Sequence, residues 1–215
     1  MKVVKPEFRI AALTEADPLA LMRHLEAMGR ICYQSEDAIT STSYEPFLKN
    51  IIKRGHEAVL EHATVTAVVI CDRGVSHEIV RHRIASYCQE STRYCNYSKD
   101  KFGNEITVVD PFYWNEDSRE YDCWRHSCEV AEAAYFDMLS VGATPQEARA
   151  VLPNSLKTQL AITMNIREWR HFFRLRCAKG AHPQMLELAY KGLVEFYDYF
   201  PCLFADIYQE VFCND

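Results

Sequence analysis

Apolar residues recur three and four positions apart along most of this chain, and in three short stretches the pattern changes to that of a strand. Leu21, Leu25, Met28 and Cys32 sit at helical intervals behind Asp17-Pro18. A capping acid followed by proline at the first helical position predicts a helix start there. A second helix is predicted to follow Ser43 and stop at Gly55, a residue suited to the left-handed backbone on which helices end. Residues 64–71, TVTAVVIC, are short and rich in β-branched side chains, which predicts a strand. Residues 76–83 read as helical, with Ile79 and Val80 inward, and 106–109 as a short strand closed by Asp110-Pro111. A long helical pattern over 116–141 ends at Gly142; Thr144, Pro145 and Glu147 then form a capping box, and Pro153 stops the short helix that follows. Leu160, Ile162 and Met164 alternate towards Asn165 as a strand would. Helices are predicted over 167–179, from Pro183, and after Pro201. Helices with a few short strands give an α+β fold rather than a doubly wound sheet.

Composition narrows this picture. A chain of 215 residues, 48% apolar, can bury a core of its own, and with 7 glycines and no Gly-, Ser- or Pro-rich stretch it shows no linker or repeat. A single domain over 1–215 is expected. The opening MKVVKPEFRI lacks the apolar centre of a signal peptide and no run reaches membrane-spanning length, so a soluble, cytoplasmic protein without a membrane partner is expected. The 9 cysteines are odd in number, irregularly spaced and without a C-x-x-C pair, and Cys123, His126 and Cys128 lack metal-site spacing. Reduced, mostly buried thiols and no metal are expected.

The net charge of −6 argues against a protein that coats nucleic acid. The arginines are nonetheless clustered: Arg81, Arg83 and Arg93 in one segment, Arg167, Arg170, Arg174 and Arg176 in another. Such clusters suit a small anion or, more plainly, a solvated face, which is the expectation for Arg170 and Arg174. No dinucleotide glycine fingerprint and no phosphate loop accompanies them. Residues 81–94, RHRIASYCQESTRY, place three arginines and two serines within thirteen residues, with Tyr87 and Tyr94 among them. Guanidinium groups pair with phosphate oxygens, hydroxyls add donors, and aromatic rings stack on planar ligands. The residues alone therefore support binding of a phosphorylated, planar ligand.

The pattern R-H-R-x-x-S followed by S-x-R-Y resembles the signature of the flavin-dependent thymidylate synthases. Further pieces similar to that family follow its order: Gly55-His56-Glu57 with Glu61-His62, Glu147-Ala148-Arg149 with Val151-Leu152-Pro153, Asn165-Ile166-Arg167, and Phe173-Arg174-Leu175-Arg176. The resemblance spans roughly residues 55–185. It implies a ThyX-like fold of helices packed with a small, mostly antiparallel sheet, and a homotetramer with active sites shared between subunits. It also implies reductive methylation of dUMP to dTMP, with methylenetetrahydrofolate as carbon donor, FAD as cofactor and NADPH as its reductant.

Carried over by position, the resemblance implies that Arg81, His82 and Arg83 contact FAD, Arg81 reaching dUMP as well. Gln89 would sit where flavin and dUMP meet. Glu90, Ser91, Thr92, Arg93 and Arg149 would hold dUMP, while Asn165, Ile166, Arg167 and His171 would line the flavin site. Arg176 would be the catalytic residue, set against the uracil ring. Carbon 5 of uracil is a weak nucleophile until charge in the ring is stabilised, and a permanently charged arginine does this electrostatically. No covalent protein nucleophile is implied, so Cys88 is expected to be a packing residue. Trp169, Phe172, Phe173 and His62 are expected in the core.

Four positions depart from the family pattern. Glu78 stands where many members have glutamine near the uracil, and Ala58 where a hydroxyl often contacts the flavin. His171 replaces an asparagine and Gln89 a glutamate. These departures leave two rival readings: a nucleotide- or flavin-binding module that has lost the chemistry, and a single-stranded nucleic-acid binder. The negative charge opposes the second.

Overall fold

The computed structural model describes residues 1–213, apart from the side chain of Lys101. The chain divides into two compact units. Unit 1 comprises residues 1–7, 69–81 and 88–160; unit 2 comprises 8–68, 82–87 and 161–215.

The strands are β1 (Lys2–Val4), β2 (Glu7–Leu13), β3 (Thr64–Asp72), β4 (Ser86–Gln89), β5 (Thr107–Val109) and β6 (Lys157–Asn165). β1 and β5 form a parallel pair, and the other four form a sheet in the order β2-β3-β6-β4. β3 and β6 run antiparallel. The Ile166 N–H donates to Ala63 O at 3.0 Å, Thr66 and Thr163 share a hydroxyl hydrogen bond of 2.8 Å, and the Arg73 N–H donates to Leu156 O at 3.0 Å. The helices are α1 (Pro18–Ile31), α2 (Tyr44–Lys53), α3 (Arg73–Ile79), α4 (Arg119–Ser140), α5 (Pro145–Ala148), α6 (Ile166–Arg176), α7 (Pro183–Tyr199) and α8 (Pro201–Phe212). This is the α+β architecture expected, rich in helix around a small, mostly antiparallel sheet. Among the described residues no helix is long and apolar enough to cross a membrane.

Unit 2 is built on an aromatic core. Trp169, Phe172 and Phe173 of α6 are buried, as expected, with Phe196, Phe200 and Phe204, and Phe8 of β2 meets Trp169 edge-on at 5.8 Å. The Trp169 indole N–H donates to Val65 O at 3.0 Å, so its one polar atom is satisfied. Phe8 also lies so close to α7 that a Cβ on Gly192 would come within 2.7 Å of its ring; only glycine fits that crossing. In unit 1, Tyr97, Ile106, Val108, Cys128, Tyr135, Ala148 and Leu156 form a second core.

Several expectations needed revision. Residues 76–83 are not one helix: Asp72 caps α3, accepting from the Val75 N–H at 2.6 Å, and α3 ends at Ile79. The arginine motif therefore follows the helix in a turn, and Ser86–Gln89 is a strand. β1 and β2 were not anticipated. Arg170 is fully buried rather than solvated. His62 and Cys88 are exposed rather than packed, and only Cys71, Cys128, Cys177 and Cys202 of the nine free cysteines are buried.

Candidate functional site

In unit 2, β6 alternates inward and outward up to Asn165, which then caps α6 by accepting the Glu168 N–H at 2.8 Å. That cap aims the first two turns of α6 into a cleft of about 470 Å³ lined by Glu57, Glu61, Ile84, Asn165, Arg167, Glu168, His171 and Arg174. Arg167 donates to Glu61 at 2.5 Å, and Arg174 to Glu57 at 3.3 Å and Asp206 at 3.1 Å. Beneath them the buried Arg170 grips both oxygens of Asp206 at 2.9 and 2.6 Å and donates to the Leu203 carbonyl. Burial opposes ionisation of Asp206, but the hydrogen bonds and charge of Arg170, the Ile207 backbone and the charge of Arg174 together outweigh it and hold the carboxyl below its usual value.

His82 lies between two charged groups of α6. The Arg176 Nε–H donates to His82 Nε2 at 3.0 Å, and His82 Nδ1 is 3.3 Å from Glu168 Oε1. Guanidinium nitrogen can only donate, so Nε2 must accept and the ring proton sits on Nδ1, facing Glu168. The Tyr87 hydroxyl donates to the His82 carbonyl at 2.6 Å. Burial, then the charges of Arg176 and His171, hold the imidazole pKa down to about 4, so the ring is neutral near pH 7. Burial raises the Glu168 carboxyl and pushes the Tyr87 phenol up to about 12. His82, Glu168 and His171 bring possible metal ligands within 4.8 Å of one another. Both His82 nitrogens are already engaged, so a cation there would have to displace Arg176.

In unit 1 the second half of the motif meets polar groups of α3 and β6. The Ser76 hydroxyl donates to Arg73 O at 2.8 Å, so it can only accept from Gln89 Nε2, at 3.0 Å. The same amide nitrogen donates to Thr158 Oγ1 at 3.2 Å, which fixes the amide's orientation and leaves its oxygen as the acceptor for a ligand. Lys157 Nζ binds Glu90 at 2.8 Å, Arg73 reaches the Glu90 carbonyl at 3.4 Å, and Arg149 reaches Thr92 Oγ1 at 3.4 Å. Ser91 organises a tight turn: its carbonyl accepts the Tyr94 and Cys95 N–H groups and its hydroxyl the Arg93 N–H. Arg93 and Arg149 are exposed, as is the Tyr94 ring beside Arg93.

The structure thus sorts the expected residues into two centres. Asn165, Arg167 and His171 line the unit 2 cleft; Gln89, Glu90, Ser91, Thr92, Arg93 and Arg149 gather in unit 1. Of the other residues expected to touch a cofactor, the His82 side chain is 3% exposed and Ile166 is fully buried. Arg81, Arg83 and Ala58 are exposed and Glu78 half-buried, outside both clusters. Sequence reasoning missed Arg73, Ser76, Lys157 and Thr158, which hold Gln89 and Glu90, and Glu168, which holds His82. For Glu168 a signal existed, since an acid in the first turn behind a capping asparagine faces that helix end.

Residues 19–202 match the family model described as "Thymidylate synthase complementing protein". The chain is 37% identical over 168 residues to the flavin-dependent thymidylate synthase of Pyrococcus furiosus, covering 78% of this chain and 68% of that one. It is 32% identical over 202 residues to the enzyme of the same name from Geobacter sulfurreducens, covering 87% and 85%. The fold matches the crystal structure of a UMP/dUMP methylase, PolB, from Streptomyces cacaoi bound with 5-Br dUMP. The TM-score is 0.76 at 20% identity, over 98% of this chain and 97% of that one.

Proposed function

Because the chain belongs to the family of flavin-dependent thymidylate synthases, we propose that it converts dUMP to dTMP, taking carbon from methylenetetrahydrofolate and hydride from FAD reduced by NADPH. The observation that carries this reading is that one fourteen-residue segment, 81–94, feeds both polar centres. Its first half supplies His82 and Ile84 to the unit 2 centre, and its second half supplies Gln89 to Arg93 in unit 1.

The residues fit these ligands. In unit 1, Arg93, Arg149 and the Ser91–Thr92 hydroxyls offer donors to a phosphate and sugar. Pairing of Lys157 with Glu90 keeps that carboxylate from repelling the phosphate. The Gln89 amide oxygen is suited to an imide N–H, a group that uracil and isoalloxazine rings share. In unit 2 the cleft combines exposed Ile84, for an apolar ring face, with Arg167, Arg174 and the Asn165 and His171 side chains for polar edges. Bound there, FAD would supply the hydride.

Arg176 is the catalytic residue in this reading. Held on its Nε by His82, its guanidinium stabilises the negative charge that must build on the uracil ring before carbon 5 can attack. We assign the active enzyme to a homotetramer that shares its sites between subunits.

The test is the visible spectrum of the purified protein without air, before and after NADPH and dUMP. Bound flavin that bleaches faster with dUMP, and dTMP formed once methylenetetrahydrofolate is added, support the reading. Arg176→Ala should keep its flavin and lose at least about 100-fold in kcat. A colourless protein that takes up no FAD, or full activity in Arg176→Ala, would overturn the reading or the assignment respectively.

A further inference from the structure

His82 lies within a motif whose resemblance points to the flavin, yet its side chain has almost no surface left to offer a ligand. What it touches instead is the protein's own machinery. Its Nε2 accepts the Nε–H of Arg176, and its Nδ1 faces Glu168. Its ring also packs edge-on to His171 at 5.7 Å and against Phe172 at 4.9 Å, and its carbonyl is held by Tyr87. Arg176 is the last residue of α6 and Glu168 the third. The imidazole therefore braces the end of the helix against its first turn.

We propose that His82 is a positioning residue: a neutral imidazole, protonated on Nδ1 and clamped by Glu168, whose Nε2 fixes the Arg176 guanidinium. This inference rests on the assignment of Arg176 as the group that acts on the uracil. It follows from donor and acceptor counting. An Nε2-protonated ring or an imidazolium would point an N–H at an arginine N–H, two donors with nothing to receive them. Glu168 prevents the Nε2 tautomer by offering its oxygen to Nδ1. The titratable and charged groups facing the ring are Arg176, Glu168 and His171, all from α6, with Arg167 next to Glu168. Burial and the neighbouring Arg176 guanidinium oppose a second proton, and one carboxylate favours the Nδ1 tautomer. A fixed guanidinium matters because a catalytic charge displaced by about an ångström can cost on the order of 100-fold in rate.

Two measurements test this. The first is long-range proton–nitrogen NMR of the flavin-loaded wild type near neutral pH, with the His82 signal assigned by its loss in His82→Leu or, should that variant not fold, in His82→Gln. A protonated Nδ1 with a bare Nε2 is expected; an Nε2–H tautomer or a doubly protonated ring overturns the proposal. The second compares His82→Leu, which can neither accept nor donate, with His82→Gln, whose amide carries an acceptor and a donor side by side. His82→Leu should keep FAD affinity within about threefold and lose about 100-fold in kcat with KM for dUMP little changed, the signature of a lost transition-state interaction. His82→Gln should recover at least about tenfold of that. Flavin loss in folded His82→Leu with restored kcat on excess FAD would show a cofactor contact instead, and unchanged kcat would show a structural role; either overturns the proposal. Wild-type protein that binds flavin but makes no dTMP would overturn the functional reading alone, because the NMR tautomer still decides the role of His82.

Discussion

The two polar centres handle charge in opposite ways. In unit 1 two arginines stand at the surface on slight contacts: Arg149 touches Thr92 at 3.4 Å and Arg93 lies over an exposed tyrosine ring. In unit 2 the arginines are committed before any ligand arrives. Arg170 is buried and forked onto Asp206, Arg174 is shared between Glu57 and Asp206, and Arg176 is tied to His82. A phosphorylated ligand reaching unit 1 finds side chains able to reorient and gains most of its binding from charge. A ligand reaching unit 2 meets a preset surface, where shape and fixed donors decide. The contrast teaches that a count of arginines says little until their partners are known: one cluster is available to bind, and much of the other holds the protein together.

The largest expected effect breaks the unit 2 side of this contrast. Arg170→Met removes the forked partner of Asp206, leaving it Arg174, and takes the side-chain donor from the Leu203 carbonyl. It should cost about 3 kcal/mol, the low end for removing one partner of a buried pair because Asp206 is 43% exposed. That loss corresponds to roughly 6–12 °C in Tm by calorimetry; a shift within error would mean the fork is ornamental. Next, Arg149→Ala or Lys157→Ala should weaken dUMP binding by about tenfold in calorimetric titration, more steeply at low salt, while FAD affinity stays put. Equal loss of both ligands would dissolve the division of labour.

A pH-dependent effect comes from His82. Its pKa is about 4 in the folded protein against 6.5 ordinarily, so between those values an unfolded chain takes up a proton that the folded chain refuses. Stability on this account is lost as pH falls from about 6.5 to about 4 and changes no further below that. Glu168, raised by burial, acts in the opposite sense, so the difference between wild type and His82→Gln in urea midpoints isolates the histidine. The variant should show the shallower acid limb. Smallest of all, Glu61→Ala removes an exposed ion pair with Arg167 and should shift stability by less than about 1 kcal/mol.

Much of the fold was legible because local chemistry marks it. The capping box at Thr144 and Glu147 formed as read, and the alternation of Leu160, Ile162 and Met164 became the buried face of β6. β2 escaped notice because Glu7–Leu13 has no clean two-residue period; its consecutive Ala11 and Ala12 are both exposed. In the sites, the motif residues were legible and their supports were not. Glu168 is 86 positions from His82, Thr158 is 69 from Gln89, and Asp206 is 36 from Arg170. Nothing in a window of sequence separates an arginine bound for a buried fork from one bound for water. Folding supplies the partner, and the partner decides the role.

The segmentation of the two units has a consequence for how the chain is made. The polypeptide passes from one unit to the other five times, after Glu7, Val68, Arg81, Tyr87 and Leu160. A ribosome adding about 5–20 residues each second therefore releases all of unit 1 once Leu160 has emerged. Unit 2 must wait for α7 and α8, roughly three to ten seconds of further synthesis. Through that interval Phe8 lacks the Phe196 ring that will pack against it, which marks this nascent intermediate, rather than the finished protein, as the species most in need of a chaperone.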